Sequence, residues 1–316
     1  MSQRYCVVGV GGHAKNKLIP ALWANNQQVV GLVSTQPLDL LPCGPVFHDI
    51  ESAIVALPTD TVFIISTPPA LHFEQVRKAV EAGRDVIVEK PAFVSADDAR
   101  AIAAICQAQG TIVVEGLMHR HTALYQRFIV YWLAHRTRIE AIDAVFLIPA
   151  VPLGTFRQES AVASSSLYDI GSYMISLMAE LQLPLANLRL AHVSHLAQGL
   201  EKITICGVLD GVKISIEVGV AETYQNVIEL RTHDGDTALF SPFFYGRPGE
   251  RLLTVGSRGI IKKETLVEMD AFQAMFMVPR SQWLADQGAR SARMIAVAAS
   301  LETLGRELLV LRQDYQ

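Results

Sequence analysis

Apolar residues in the first third of the chain fall into short, almost unbroken runs, and the segments between them carry apolar residues three and four apart. Unbroken runs suit strands buried on both faces, and the wider spacing suits helices that cover them. Strands are predicted over residues 6–8, 29–33, 62–65, 86–88 and 112–114. Phe73, Val76 and Val80 recur at helical spacing until Gly83 stops the helix, and Ser95 to Asp98 reads as a capping box opening the next one. Beyond about residue 120 the pattern becomes alternation: Val212, Ile214, Ile216 and Val218 face one way, Lys213, Ser215 and Glu217 the other. That predicts a mostly antiparallel sheet with one open side. Helices are predicted over 124–134, 167–181 and 292–309, the last packing back against the first domain, and 241–251, rich in Phe, Gly and Pro, reads as a long loop. The fold class is α/β: a doubly wound parallel sheet over residues 1–119, then an α+β domain with an open-faced sheet over 120–316. A length of 316 residues fits two cores better than one.

Composition narrows the function. Hydrophobic residues make up 50% of the chain and charged residues 18%, yet no apolar run is long enough to span a bilayer. The opening run is cut by Gly11, Gly12, His13 and Lys15 before it could serve as a secretory leader, which predicts a cytosolic protein. With a net charge of −4 and no basic run, neither nucleic acid nor an anionic membrane is an expected partner. Cys6, Cys43, Cys106 and Cys206 are far apart and form no metal-ligand pattern, so buried free thiols and no metal are expected.

The chemistry begins at Gly9-Val-Gly11-Gly12-His13-Ala14, directly after the first strand and before a helix. This is a dinucleotide fingerprint in its G-x-G-x-x-A form, which makes the first domain a Rossmann domain. Gly9 permits the tight turn, Gly11 lets the backbone approach the pyrophosphate, Ala14 keeps helix and strand close, and the helix amides face the phosphates. The second strand ends Val33-Ser34-Thr35-Gln36, with no acid for a ribose; Asp39 comes several residues late. The Ser34 and Thr35 hydroxyls, with Lys15 or Lys17, could receive a 2′-phosphate, so the lean is toward NADP(H) over NAD(H). At the carboxyl ends of later strands stand Ser66-Thr67-Pro68-Pro69-Ala-Leu-His72 and Glu89-Lys90-Pro91, the edge where such sheets bind ligands.

Together with Tyr168-Asp169-Ile170-Gly171-Ser172-Tyr173, these motifs resemble the glucose-fructose oxidoreductase, inositol dehydrogenase and rhizopine-catabolism family (Gfo/Idh/MocA), in its order and spacing over nearly the whole chain. The resemblance implies a Rossmann domain followed by an open-faced substrate domain, with Lys90 as catalytic lysine, Asp169 positioning substrate and Tyr173 in the acid/base position that holds histidine in many members. It also implies a cis Lys90-Pro91 peptide. Glu89 is expected to orient Lys90 or hold the backbone turn, and His72 to begin a helix beside the nicotinamide. Hydride transfer at a sugar carbon needs a proton to travel to or from the attached oxygen, and an ammonium beside a phenol can polarise that oxygen and relay the proton. The expected activity is NAD(P)-dependent oxidation or reduction of a sugar, a sugar derivative such as a nucleotide-linked ketosugar, or a cyclic polyol, in a homodimer or homotetramer. A catalytically silent cofactor-sensing regulator and an NAD-dependent glycosidase are the alternatives.

The chain departs from the family pattern at Ser164-Ser165-Ser166, at Pro69, and in Glu115-Gly-Leu-Met118-His119-Arg120-His121. If that last segment were a strand, His119 and His121 would share a face. No third ligand completes a metal pattern around them, so a cleft-lining or hydrogen-bonded role is expected.

Overall fold

The structure, a computed structural model, describes residues 2–38, 43–149, 165–195 and 201–313. Asp39 and Ser164 lie outside the described residues. The chain divides into two compact units, Met1–Leu117 with Phe272–Ala298 and Met118–Ala271 with Ala299–Gln316.

In the first unit β1 (Arg4–Val8), β2 (Gln28–Val33), β3 (Val46–Phe47), β4 (Val62–Ile65), β5 (Val86–Val88) and β6 (Val113–Glu115) form one sheet in the order β3-β2-β1-β4-β5-β6. Every pairing is parallel. Parallel neighbours need crossovers, and these carry α1 (Ile19–Ala24), α2 (Ile50–Ala56), α3 (His72–Glu81) and α4 (Ala96–Gln109). All residues of β4, β5 and β6 are buried, which explains their unbroken apolar runs. β6 starts one residue later than the sequence suggests and takes in Glu115, whose buried carboxylate accepts from the Ala92 N–H at 2.9 Å. Helix ends follow the expected chemistry: the Ser95 hydroxyl accepts from the Asp98 N–H at 3.4 Å, and Gly83 sits at φ +73° past α3.

The stretch Phe272–Ala298 belongs to this unit, whereas the sequence pattern assigns everything after residue 119 to the second domain. It holds α7 (Ala271–Phe276) almost whole, α8 (Arg280–Ala285) and the first half of α9 (Gln287–Gln313). The reason is apolar matching: Met294 and Ala298 of α9 join Ile102, Cys106 and Val113 in one buried cluster.

The second unit is built on an eight-stranded sheet with the order β14-β13-β12-β11-β7-β10-β9-β8. Its strands are β7 (Ile139–Ile148), β8 (Arg189–His195), β9 (Glu201–Leu209), β10 (Val212–Val220), β11 (Gln225–Thr232), β12 (Thr237–Ser241), β13 (Gly249–Ser257) and β14 (Ile260–Glu268). Only the β7–β10 pairing is parallel. On β10, Val212, Ile214, Ile216 and Val218 are buried, while Lys213 and Ser215 are exposed and Glu217 pairs with Lys202. Helices α5 (Ala123–His135) and α6 (Ser172–Glu180) match the predicted stretches, α6 being preceded by a wide turn over Leu167–Gly171. Glu268 of β14 caps α5, its two carboxylate oxygens accepting from the Leu124 N–H at 2.7 Å and the Ala123 N–H at 2.9 Å.

Residues 242–248 form the expected loop, with strand at Ser241 and at 249–251, and this connection between β12 and β13 buries Phe243 and Phe244. One expectation changes here. Cys6, Cys43 and Cys106 are buried, but Cys206 is exposed because it lies opposite Ser215 on the polar side of the sheet. Among the described residues no helix is long and apolar enough to cross a membrane.

Candidate active site

Four backbone bonds extend the ladder of the parallel sheet into the loops at its carboxyl edge. They run from Gly9 N to Val33 O (3.0 Å), Ser66 N to Val8 O (2.7 Å), Glu89 N to Ile65 O (2.9 Å) and Gly116 N to Val88 O (2.7 Å). The glycine turn, the Ser66-Thr67-Pro68 turn and the Glu89-Lys90-Pro91 turn are therefore brought side by side by main-chain atoms.

The glycines do different work. Gly9 has φ +86°, and a Cβ there would stand 2.7 Å from Thr67 Cγ2, so only glycine lets these two turns meet. A Cβ on Gly11 would meet nothing within 4 Å, and one on Gly12 only Asn16 Nδ2 at 3.9 Å. Open space over two exposed glycines beside a fully buried Ala14, at the start of a helical run, is a cradle of the kind a dinucleotide pyrophosphate needs. The residues present fit that cofactor.

Around the cradle, His13 Nε2 lies 3.0 Å from Glu89 Oε1 and its ring meets Phe272 edge-on at 5.4 Å. Burial pushes the Glu89 carboxyl up, but the His13 field and hydrogen bond, with Lys90 and His72, outweigh it and hold the group below its ordinary range. Sequence reasoning missed this pair; its signal was a histidine inside the glycine turn. The Lys90–Pro91 peptide is cis, and Lys90 is partly buried. Thr67 donates its hydroxyl to Gln75 Oε1 at 2.6 Å, and Pro68 is exposed. Ser34 folds onto its own turn, donating to Gln36 O at 2.9 Å and accepting from Gln36 N at 3.1 Å, while Thr35 is exposed.

His72 begins α3, as expected. It is fully buried, with Nε2 2.8 Å from Thr67 O and Nδ1 3.0 Å from Pro91 O and 3.2 Å from Ala92 O, so both nitrogens face backbone carbonyls. Burial is the strongest influence on its protonation and holds it below the ordinary imidazole range, against the upward pull of the three carbonyls and Glu89.

In the second unit, Asp169 is buried in the wide turn before α6, with its N–H donating to Ser165 O at 3.0 Å. Tyr168 and Tyr173 diverge. Tyr168 buries its phenol and donates to Leu301 O at 3.0 Å, and burial pushes it up to about 12. Tyr173 enters an aromatic cluster, edge-on to His119 at 5.6 Å and tilted against Phe244 (5.4 Å) and Phe146 (5.9 Å), with its hydroxyl 3.7 Å from Met118 Sδ. Phe244 and its neighbour are fixed by buried Asn226, whose Oδ1 accepts from Phe244 N (2.8 Å) and Phe243 N (3.1 Å). These surroundings were not foreseen; the only signal was the aromatic density of Phe243-Phe244-Tyr245.

Met118–His121 forms a 3-10 turn, not a strand, so His119 and His121 do not share a strand face. His119 is fully buried among aromatic rings with Nδ1 unpartnered, and burial holds it well below the ordinary imidazole range. Among the described residues no group of three or more metal-binding side chains occurs.

Residues 3–117 match the oxidoreductase family Gfo/Idh/MocA, NAD-binding Rossmann fold. The likeness to that family is carried by the first domain. Two curated relatives are D-xylose 1-dehydrogenase (NADP(+)) 2 of Haloferax volcanii, 25% identical over 54% of each chain, and dTDP-3,4-didehydro-2,6-dideoxy-alpha-D-glucose 3-reductase of Actinomadura kijaniata, 24% identical over 73% of each. The chain thus spans about half the length of the first. A crystal structure of a 3-ketoreductase from Actinomadura kijaniata, in complex with NADP and TDP-benzene, shares the fold with a TM-score of 0.78 at 19% identity, covering 96% of this chain and 97% of the other. That ketoreductase has also been solved with a tyrosine replaced by phenylalanine and with a lysine replaced by alanine.

Proposed function

We propose that this protein is an NAD(P)-dependent oxidoreductase that moves a hydride between the nicotinamide and a sugar carbon, and that its substrate is a sugar, a nucleotide-linked sugar or a cyclic polyol. The observation carrying this reading is the edge of the parallel sheet, where the open cradle at Gly11 and Gly12 and the turn of Lys90 are set side by side by the strand-end ladder. Gly9, Gly11, Gly12, His13 and Ala14 would hold the pyrophosphate; Ser66, Thr67, Pro68, Glu89 and Lys90 the nicotinamide half; Ser34 and Thr35 the adenosine ribose. The absence of an acid from Val33 to Gln36 supports NADP(H), as do the relatives named for NADP. Bound, the nicotinamide supplies or takes the hydride.

The chain's own groups handle the proton. Lys90 donates to or accepts from the substrate oxygen, Tyr173 serves as the second acid/base group, and Asp169 positions the sugar. Lysine and tyrosine are also the residue types replaced in the related ketoreductase. We place the protein in the cytosol as a homodimer or homotetramer; the exposed Ile260, Ile261 and Val267 of β14 support association. Calorimetry with NADP(H) and NAD(H), followed by turnover of candidate ketosugars and polyols, tests the reading. A folded protein with affinity for neither cofactor would overturn it.

A further inference from the structure

We infer that His72 is a buried imidazolium that clamps the Lys90 turn to the Thr67 turn, and so acts as a positioning residue for Lys90. The case rests on the two sides of the ring. Nε2 faces Thr67 O at 2.8 Å, and Nδ1 faces Pro91 O at 3.0 Å and Ala92 O at 3.2 Å. Backbone carbonyls only accept, so each nitrogen must donate. A neutral imidazole carries one N–H, and either tautomer would aim a bare lone pair at a carbonyl oxygen within hydrogen-bonding distance. Only the imidazolium satisfies both sides.

Burial opposes a charge here, since the side chain has no solvent exposure. Taken alone, burial outweighs the neighbouring groups and pulls the ring down; the charged form rests on the geometry of the two nitrogens, and two things work against the cost of burial. Three carbonyl dipoles converge on the ring, and hydrogen bonds from a charged donor are roughly twice as strong as neutral ones. The Glu89 carboxylate supplies a nearby negative charge and is itself held below its ordinary range by His13, Lys90 and His72. The charged groups facing the ring are therefore Glu89 directly, with His13 and Lys90 acting on Glu89.

The clamp has a consequence for chemistry. Thr67 follows β4 and Pro91 follows β5, and Pro91 is joined through its own nitrogen to Lys90. Beyond the ladder bond of Glu89 N to Ile65 O, the bonds through His72 are what tie these two turns to each other farther out, at the residues flanking Lys90. A lysine that must approach a reacting oxygen gains from a main chain fixed in this way, because misplacement by about 1 Å can cost on the order of 10²-fold in rate. The positioning role rests on the catalytic reading of Lys90; the charge does not.

The test begins with the unaltered protein. In nitrogen-15 spectra of histidine-labelled protein, the ring signals that vanish in His72→Gln should show both nitrogens protonated and non-titrating from about pH 6 to about pH 8. One protonated and one bare nitrogen at neutral pH overturns the charge. His72→Gln and His72→Asn each keep a single donor nitrogen, put an acceptor oxygen in place of the other and remove the charge. With cofactor affinity held within about threefold, each should lower kcat by about tenfold or more at little-changed KM. Unchanged kcat in a folded variant overturns the positioning role; an imidazolium in a protein that turns over no sugar would leave the charge standing and remove the oxidoreductase reading instead.

Discussion

The carboxyl edge of the parallel sheet and the surroundings of Tyr173 are assembled by different means. At the first, main-chain atoms do the holding: four strand-end bonds of 2.7 to 3.0 Å, a glycine that lets two turns meet, and a histidine bonded only to carbonyls. At the second, side chains do it: Phe146 from β7, His119 from a 3-10 turn and Phe244 from a loop meet around one phenol. A site held by backbone is insensitive to most side-chain changes and acutely sensitive to a few, whereas a site held by packed rings loses stability with each ring removed. Chemistry that depends on a fixed lysine and a ligand-sized space suits the former, and recognition of variable substrates suits the latter.

The largest expected effect tests the chemical half of this contrast. Lys90→Met should lower turnover by ~10² to 10⁴ while leaving cofactor affinity and melting temperature near those of the parent protein. A variant retaining a tenth or more of the activity would move the acid/base role elsewhere. Phe244→Ala should instead cost about 3 to 5 kcal/mol of stability, because a fully buried ring is lost from between Tyr173, Phe146 and His119. Urea denaturation reads this, and a loss below 1 kcal/mol would show that the cluster can collapse around the gap.

The two glycines divide the first region more finely. Gly11→Leu should reduce cofactor affinity by more than tenfold with the fold intact, since its added side chain enters open space. Gly9→Ala should destabilise by about 1 to 3 kcal/mol, because φ +86° and a contact of 2.7 Å with Thr67 both oppose a Cβ. Calorimetry and thermal melts on the two variants together decide the matter; the reverse pattern would mean that the open space is not where the dinucleotide lies.

That contrast also explains what could be read from sequence. The first region was legible because its parts are short motifs at strand ends: the glycine turn, Thr67-Pro68 and Glu89-Lys90-Pro91 follow runs of apolar residues whose meaning is local. Strands β4 and β5 are where the pattern puts them. The role of His72 was not legible, because a histidine starting a helix looks the same whether it faces a ligand or three carbonyls. The Tyr173 cluster was less legible still. Its rings come from four separate segments between residues 119 and 244, and nothing in Phe243-Phe244, which reads as loop and is loop, shows that Asn226 binds both amides. The share of the C-terminal segment that joins the first unit was only partly visible, since a helix pattern predicts an amphipathic face but not how much of its length each core takes.

Acid should separate the two regions. Burial, with the field of Arg120, pulls His121 from 6.5 to about 4, and burial holds His119 well below 6.5 as well. Both imidazoles are thus neutral in the folded protein at pH values where the unfolded chain takes up protons. Between 6.5 and about 4 the unfolded state binds more protons, so stability rises with pH across that window and is lost as pH falls through it. Glu89 acts in the same sense on the other region but at lower pH: its carboxyl lies below 4.5, so its contribution is present above that value and is lost only on further acidification. Amide exchange corrected for intrinsic rate should therefore show protection around α5 and Met118–His121 falling first as pH drops from about 6.5 to about 5, with the amides of Ser66 and Glu89 holding. His121→Gln removes one of the two titrating groups and should flatten the slope without abolishing it. Simultaneous loss in both regions, or a slope indifferent to His121→Gln, would mean that the buried histidines are not what ties the aromatic region to pH.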